Sequence, residues 1–135
     1  MGLHHSKLPA DVLANLRKGV AIPAHPLALD ANRKFDRKRQ RALSRYYVDA
    51  GSGGLAVGVH TTQFAIREVG LYEPVLAAAM EDARAWTDRP LVMVGGLAGK
   101  TAQAVKEAQT AVKLGSHAGL PSLAPLVKKV MSAVV

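Results

Sequence analysis

The chain has 135 residues, of which 49% are apolar and only 4% are aromatic. This length and composition suit one globular domain with a substantial core, and they exclude a disordered chain. Cysteine is absent, which excludes disulfides and thiolate metal sites. No apolar run approaches the roughly 20 residues of a membrane span and no secretory signal is evident, so we expect a soluble, cytoplasmic protein without a membrane partner.

The net charge of +8 is concentrated in one part of the chain. Seven of the 18 basic residues lie within 13 positions: Arg33, Lys34, Arg37, Lys38, Arg39, Arg41 and Arg45. A nucleic-acid surface would interleave such a run with stacking aromatic side chains or carry a recognisable motif. We therefore interpret the run as the solvated side of one helix and predict no nucleic-acid partner.

The first part of the chain predicts two helices around one strand. A helix is expected over residues 6–17, followed by a strand over residues 19–24 in which Pro23 marks the end of the ladder. Asp36 is a good N-cap for a second helix to about residue 49. Gly51 stands where a left-handed residue would close that helix.

The remaining chain alternates between uncharged runs and helical periods. Strands are expected at residues 53–62 and 91–96, and a weaker one at 118–123, where Pro121 counts against it. Residues 63–71 show no clean period and are expected to form a loop. Helices are expected at residues 74–86, from Thr101 to a stop at Gly115, and from Pro125 onward.

Alternation of strands and helices at this spacing predicts right-handed βαβ units and a parallel sheet. Four such units form either an open doubly wound sheet or half of an eightfold barrel. A complete barrel takes about 250 residues, so this chain cannot close one alone. We divide the chain into an N-terminal helix, residues 1–17, and a partial barrel domain, residues 18–135.

Polar side chains appear abruptly where the strand at residues 53–62 ends. His60, Thr61 and Thr62 place an imidazole and two hydroxyls at the carboxyl end of a strand, where α/β folds bind ligands. The two hydroxyls form a donor cluster suited to a carboxylate, or they are simply turn-forming residues. His25 follows the preceding strand and should reach the same rim. Two histidines without a third ligand make a poor zinc site, so we predict no metal.

A glycine-rich segment follows the strand at residues 91–96. Gly95, Gly99, Lys100 and Thr101 come close to a phosphate-binding loop, but the spacing is one residue short of that motif. A small phosphate-binding domain therefore stays open as an alternative beside a plain glycine-rich turn. Lys100 could still attract an anion at the start of the following helix.

Taken together, the order of these segments resembles the amino half of the dihydrodipicolinate synthase/N-acetylneuraminate lyase family. The resemblance covers roughly residues 18–124 and is a register of many weak positions. The residues that carry it are 19–24, Phe35 with Asp36, 49–58, Thr61 with Thr62, 91–96, 101–105, Leu114 with Gly115, and 118–120.

The resemblance implies a (β/α)8 barrel and class I aldolase chemistry, in which a lysine forms a Schiff base with pyruvate or another 2-oxo acid. It implies that Thr61 and Thr62 hold the 2-oxo acid carboxylate, and we add His60 and His25 as substrate-binding candidates. The Schiff-base lysine and the proton-relaying tyrosine belong to later strands, so we assign no catalytic residue and no cofactor to this chain.

This sequence also departs from the family pattern. Both glycines and the acid of the family's G-T-T-G-E motif are replaced at His60, Gln63 and Phe64, which gives a bulky, partly apolar rim and suggests a changed substrate. The alternative is a non-catalytic half-barrel that assembles with itself, because an uncovered parallel edge invites pairing. In either case we expect a homo-oligomer.

Overall fold

The computed structural model describes residues 4–123, which form one parallel sheet with helices packed on it. In chain order, the helices and strands within these residues are α1 (Ala10–Lys18), α2 (Arg37–Asp49), β1 (Gly54–Val57), α3 (Tyr72–Trp86), β2 (Val92–Leu97), α4 (Thr101–Leu114) and β3 (Ala118–Pro121). The strand order is β1, β2, β3, and both pairings are parallel. The predicted alternation of strands and helices is confirmed.

The first predicted strand, at residues 19–24, is not a regular strand. It runs beside β1 with a single parallel bridge between Ala24 and Ala56. The carbonyl of Ala21 accepts the N–H of Gly53, and the carbonyl of Pro23 accepts the N–H of Ala56, both at 2.9 Å. The N–H of His25 donates to the carbonyl of Ala56 at 2.8 Å. Pro23 has no N–H, so it leaves one rung of the ladder unmade. This extended segment still acts as a fourth parallel member of the sheet.

All three crossover helices pack on the same face of the sheet. One apolar cluster joins side chains of α2, α3 and α4 to side chains of β1 and β2, among them Val48, Leu55, Val75, Met93 and Ala111. Residues that alternate along a strand face opposite sides, so Leu55 and Val57 point to the helices while Ala56 points away. A doubly wound sheet would carry helices on both faces. The one-sided arrangement is that of a barrel wall.

The predicted helix boundaries agree closely with the structure where capping residues are present. The carboxylate of Asp36 accepts the N–H of Arg39 at 2.9 Å, which satisfies a free donor at the start of α2. Gly51 and Gly115 both have positive φ, +88° and +95°, just after α2 and α4. Helix α3 begins two residues before the predicted Pro74.

The boundaries of strands and loops differ more from those predicted from the sequence than the helix boundaries do. Strand β1 ends at Val57 because Gly58 has φ +78°, and His60–Thr62 form a 3-10 turn instead of extending the strand. A second 3-10 turn, Phe64–Arg67, lies in the predicted loop. Strand β3 stops at Pro121. The helix predicted from Pro125 lies outside the described residues.

The predicted N-terminal helix is divided by Pro9 into a 3-10 turn at His5–Lys7 and helix α1. Helix α1 contacts the sheet at the amino end of β2, where Asn15 donates to the carbonyl of Pro90 at 2.7 Å and Val12 is buried.

The boundary between an N-terminal helix and a barrel domain after residue 17 stays a prediction. Among the helices of residues 4–123, none has both the length and the apolar content that crossing a bilayer requires.

Candidate functional site

The turn His60–Thr62 is fixed at the carboxyl end of β1 by the hydroxyl of Thr62. That hydroxyl donates to the carbonyl of His25 and accepts the N–H of Gly58 at 3.0 Å, and the residue is fully buried. It therefore ties the turn to the extended segment on one side and to the end of β1 on the other. Because both of its hydrogen-bonding roles are filled, Thr62 supports the turn and does not present a free hydroxyl.

Thr61 and His60 have the opposite environment, since both are exposed. The imidazole of His60 lies against the ring of Phe64, with 4.5 Å between ring centroids. The turn thus offers one hydroxyl and one imidazole to a ligand. Their predicted contact with a 2-oxo acid stays a prediction.

The expectation that His25 reaches the rim together with His60 does not hold. His25 is fully buried against α2, where Gln40 lies 2.7 Å from its Nδ1 and Ser44 lies 3.1 Å from its Nε2. Burial lowers the pKa of His25 to about 4, although Asp82 and the carbonyl of Pro26 act in the opposite direction. The imidazole is thus a neutral core group. In the described part of the chain, no group of three His, Asp or Glu residues could hold a metal ion.

A cavity of about 400 Å³ lies next to the turn, at the carboxyl ends of the strands, and we call it the rim cavity. Val59, His60 and Phe64 line it from the turn, Gly96 and Leu97 from β2, and residues 120–123 from the end of β3. Leu120 and Leu123 are 54% and 62% exposed. The sequence predicts a partly apolar rim from Phe64. The leucines are not predicted to lie there, since their only signal is their place at the end of a predicted strand.

Arg67 fastens the strand ends that carry the turn. Its Nη2 donates to the carbonyls of Gly58 at 3.1 Å and Gly96 at 3.0 Å. The same guanidinium pairs with Glu107 of α4 at 2.8 Å, and both side chains are more than nine-tenths buried. Burial by itself raises the pKa of Glu107, but the donors Arg67, Gln103 and Ala98 outweigh it and hold the pKa below its usual value. The sequence does not predict this pair, because Arg67 lies in a segment without helical or strand periodicity.

Tyr72 adds a neutral hydrogen bond to the same place. Its hydroxyl donates to the carbonyl of Gly96 at 2.8 Å. Burial, reinforced by the nearby Glu107, raises the pKa of Tyr72 to about 12, so the phenol keeps its proton. The carbonyl of Gly96 therefore accepts both a charged and a neutral donor.

The glycine-rich segment does not have the form of a phosphate cradle. Gly95 and Gly96 belong to β2, and a side chain at Gly96 would collide with the backbone of Gly58. The N–H of Ala98 is already bound at 2.9 Å by the carboxylate of Glu107. A negative group of the protein thus occupies the loop, which disfavours a phosphate there. The glycines serve close packing between strands.

Five of the seven residues of the basic run lie on α2, since Arg33 and Lys34 precede that helix, and three of the five make contacts with α3. Arg37 forms a two-point ion pair with Asp82 of α3 at 2.6 and 2.8 Å, and Arg41 reaches the same carboxylate at 3.0 Å. The guanidinium of Arg45 lies 4.1 Å from the ring centroid of Trp86. These side chains join α2 to α3, so the run has a structural use that its position in the sequence did not reveal.

Comparisons with solved structures identify the fold. The chain is similar to a protein assigned as a dihydrodipicolinate synthetase from Pseudomonas aeruginosa, with a TM-score of 0.67 and 19% identity over 74% of the chain. It is also similar to dihydrodipicolinate synthase from Bacillus clausii, with a TM-score of 0.63 and 18% identity over 74% of the chain. A third match is CdNal from Clostridium difficile, solved with mannosamine, with a TM-score of 0.67 and 17% identity over 76% of the chain.

The chain spans about a third of the length of these proteins, between 32% and 34%. No family profile matches the sequence, and no curated protein matches it. At this level of identity the likeness concerns the fold. The resemblance noted in the sequence is confirmed at that level, and the chain has the fold of a partial (β/α)8 barrel corresponding to part of a dihydrodipicolinate synthase-type structure.

Proposed function

We propose that this chain is the amino-terminal part of an aldolase- or lyase-type protein that acts on a 2-oxo acid such as pyruvate through a Schiff base. The catalytic lysine lies outside residues 1–135, and a cytoplasmic location belongs to the same proposal. Two things support it: the fold shared with dihydrodipicolinate synthase-type structures, and the position of the polar turn where barrel enzymes place their ligands.

The observation that carries the proposal is the pairing of a buried threonine with an exposed one at the end of β1. Thr62 holds the turn in place, and Thr61 and His60 are left accessible beside the rim cavity. A hydroxyl and a ring N–H are suitable donors for a carboxylate. In this proposal Thr61 and His60 contact the acid, Thr62 positions them, and His25 supports Thr62 through its backbone carbonyl.

Reductive trapping tests the chemistry. The lysine amine condenses with the ketone and releases water, and borohydride then reduces the imine to a stable secondary amine. We expect a longer form of the protein that supplies the lysine to gain the mass of the reduced pyruvate adduct. Residues 1–135 alone should gain none. Absence of trapping in every longer form, with any 2-oxo acid, would leave the fold and remove the chemistry.

A substitution at Thr61 tests the site. Thr61→Val in the longer form should raise the pyruvate concentration for half-maximal trapping by about tenfold or more, because one hydrogen bond to a charged group is lost. Thr110→Val, on α4, is the matched control and should leave that concentration unchanged. Equal behaviour of the two variants would remove Thr61 from the site.

A second candidate function is a half-barrel that assembles with itself. Strand β3 pairs only with β2 within residues 4–123, and all four of its residues are exposed. A free parallel edge is a surface for pairing with another chain. Four parallel segments are half of an eightfold barrel, so a second copy is the partner that fits. Light scattering that gives a clean monomer would reject this function.

A further inference from the structure

The rim cavity differs in character from the turn beside it. The turn offers a hydroxyl and an imidazole, whereas the cavity walls are built mainly from Phe64, Leu97, Leu120 and Leu123. A volume of about 400 Å³ lies within the range of small-molecule pockets. The site therefore has a polar edge, suited to an acid group, joined to an apolar chamber.

The ring of Phe64 defines one wall of this chamber. It is held between the imidazole of His60, with centroids 4.5 Å apart, and the guanidinium of Arg67, 5.4 Å from the ring centroid. Arg67 is itself fixed by Glu107 and by the strand-end carbonyls. The aromatic wall is thus anchored to the ends of β1 and β2, as a preformed binding surface requires.

The lining also limits the chemistry of a ligand. Among the described residues that line the cavity, only His60 and Ser122 have polar side chains. A polyhydroxylated group there would find few side-chain partners for its hydroxyls, and each hydroxyl left unpaired would carry a cost. An apolar or aromatic group would lose no hydrogen bonds and would cover leucines that are now more than half exposed.

We propose that this cavity binds the apolar or aromatic arm of a 2-oxo acid whose carboxylate lies at the turn. The protein would then act on arylated or alkylated 2-oxo acids, or on the apolar aldehydes from which they form. This inference rests on the proposed function for the position of the carboxylate, and it adds the class of substrate. The apolar arm makes contact with Phe64, Leu120 and Leu123.

Binding of two probes to the 135-residue chain tests the proposal. The probes are pyruvate and benzylidenepyruvate, a 2-oxo acid that carries a phenyl arm, and binding is followed by amide chemical shifts of the isotope-labelled chain. We expect benzylidenepyruvate to bind at least about tenfold more tightly, because the phenyl group leaves water. Its shifts should include residues 120–123 and Phe64. Equal dissociation constants would overturn the proposal.

Two variants locate the binding. Phe64→Ala should reduce the preference for the phenyl probe to about threefold or less. Leu123→Ala removes a side chain that is 62% exposed, so it should weaken the binding of the phenyl probe without unfolding the chain. Leu16→Ala is the matched control, since Leu16 is an exposed leucine of α1 that does not line the cavity. This substitution should leave the dissociation constants of both probes unchanged. A preference that survives in both cavity variants would place the phenyl group elsewhere and overturn the proposal.

The proposal and the function on which it rests fail in different ways. If a longer form traps pyruvate with borohydride but the phenyl arm gains no affinity, the Schiff-base function stands and the substrate class is wrong. If the phenyl probe binds at the cavity but no longer form traps any 2-oxo acid, the apolar site stands and the Schiff-base function is wrong.

Discussion

Thr61 and Thr62 show how neighbouring residues of one type take different roles. The sequence leaves two interpretations of these adjacent threonines open: a pair of donors for a carboxylate, or two turn-forming residues. The 3-10 turn instead directs Thr62 into the core and leaves Thr61 exposed. The difference arises because buried backbone groups of Gly58 and His25 need hydrogen-bond partners, and the Thr62 hydroxyl supplies them.

Replacing Thr62 by valine should destabilise the chain by about 1–3 kcal/mol, because one buried donor and one buried acceptor lose their partner. Thr62→Ser should recover most of that loss. The measurement is urea unfolding followed by circular dichroism. The exposed neighbour provides the control, since Thr61→Val should change the free energy of unfolding by less than about 0.5 kcal/mol. Equal effects at both positions would contradict the assigned roles.

His25 predicts a pH dependence of stability. Its pKa is about 4 in the folded chain and 6.5 in the unfolded one, so the unfolded state binds more protons at intermediate pH. The free energy of unfolding should therefore fall as pH drops from 6.5 toward 4, by up to about 3 kcal/mol. His25→Gln should flatten this slope. Burial also lowers the pKa of His117, so His117→Gln is measured beside it. An unchanged slope in His25→Gln would contradict the neutral buried state.

At the level of elements, the ion pair between Arg67 and Glu107 joins three parts of the wall. It connects the turn after β1, the end of β2 and helix α4. Removing one partner from a buried pair leaves an uncompensated charge, which costs more than the pair contributes. The pair therefore supports the rim, because Arg67 holds the carbonyls of Gly58 and Gly96 at the ends of the two strands.

Arg67→Ala should lower the free energy of unfolding by about 3–5 kcal/mol, because Glu107 is left buried without its counter-ion. The double variant Arg67→Met with Glu107→Met should recover a large part of that loss. Arg39→Ala is the control: its pair with Asp36 is 70% exposed on the arginine side and should be worth at most about 1 kcal/mol. Denaturant unfolding measures all three. A cost at Arg67 no larger than at Arg39 would contradict this account.

Helix boundaries set by nearby capping residues could be predicted from the sequence. Side-chain burial and ion pairs that depend on residues far apart in the chain could not. Helices α2 and α4 begin and end near the predicted residues because Asp36, Gly51 and Gly115 act within one turn. The burial of His25 depends on Gln40 and Ser44, which lie 15 and 19 positions away. The Arg67–Glu107 pair spans 40 positions. Periodicity carries no record of such contacts.

At the scale of the molecule, residues 4–123 form a barrel wall in which β3 is an edge strand, paired only with β2. Val105 and Val112 on α4 are 51% and 46% exposed, and their spacing of seven residues places them on one side of the helix. Gln103 and Glu107 line a cavity with Tyr72 of α3, so the two valines lie on the opposite flank, away from α3. Exposed apolar side chains on the helix beside a strand that is at the sheet edge within residues 4–123 form a surface suited to a partner.

Charges on that flank should suppress self-association. Val105→Glu with Val112→Glu should leave the unfolding free energy of the monomer within about 1 kcal/mol, because both side chains are already exposed. If the chain assembles as the second candidate function proposes, the double variant should shift sedimentation velocity profiles from dimer to monomer. Val69→Glu is the control, since Val69 is 69% exposed outside this flank. Dimers that persist in the double variant would show that another surface mediates assembly.

Mapping pyruvate on the isotope-labelled protein by amide chemical shifts tests the central claim most directly. If the turn at the end of β1 is the acid-binding site, saturable shifts should concentrate at residues 58–64 and should require about tenfold more pyruvate or more in Thr61→Val. If the largest shifts fall instead on the basic run of α2, or if no residue near the turn responds at saturating pyruvate, the rim of this partial barrel does not bind a 2-oxo acid.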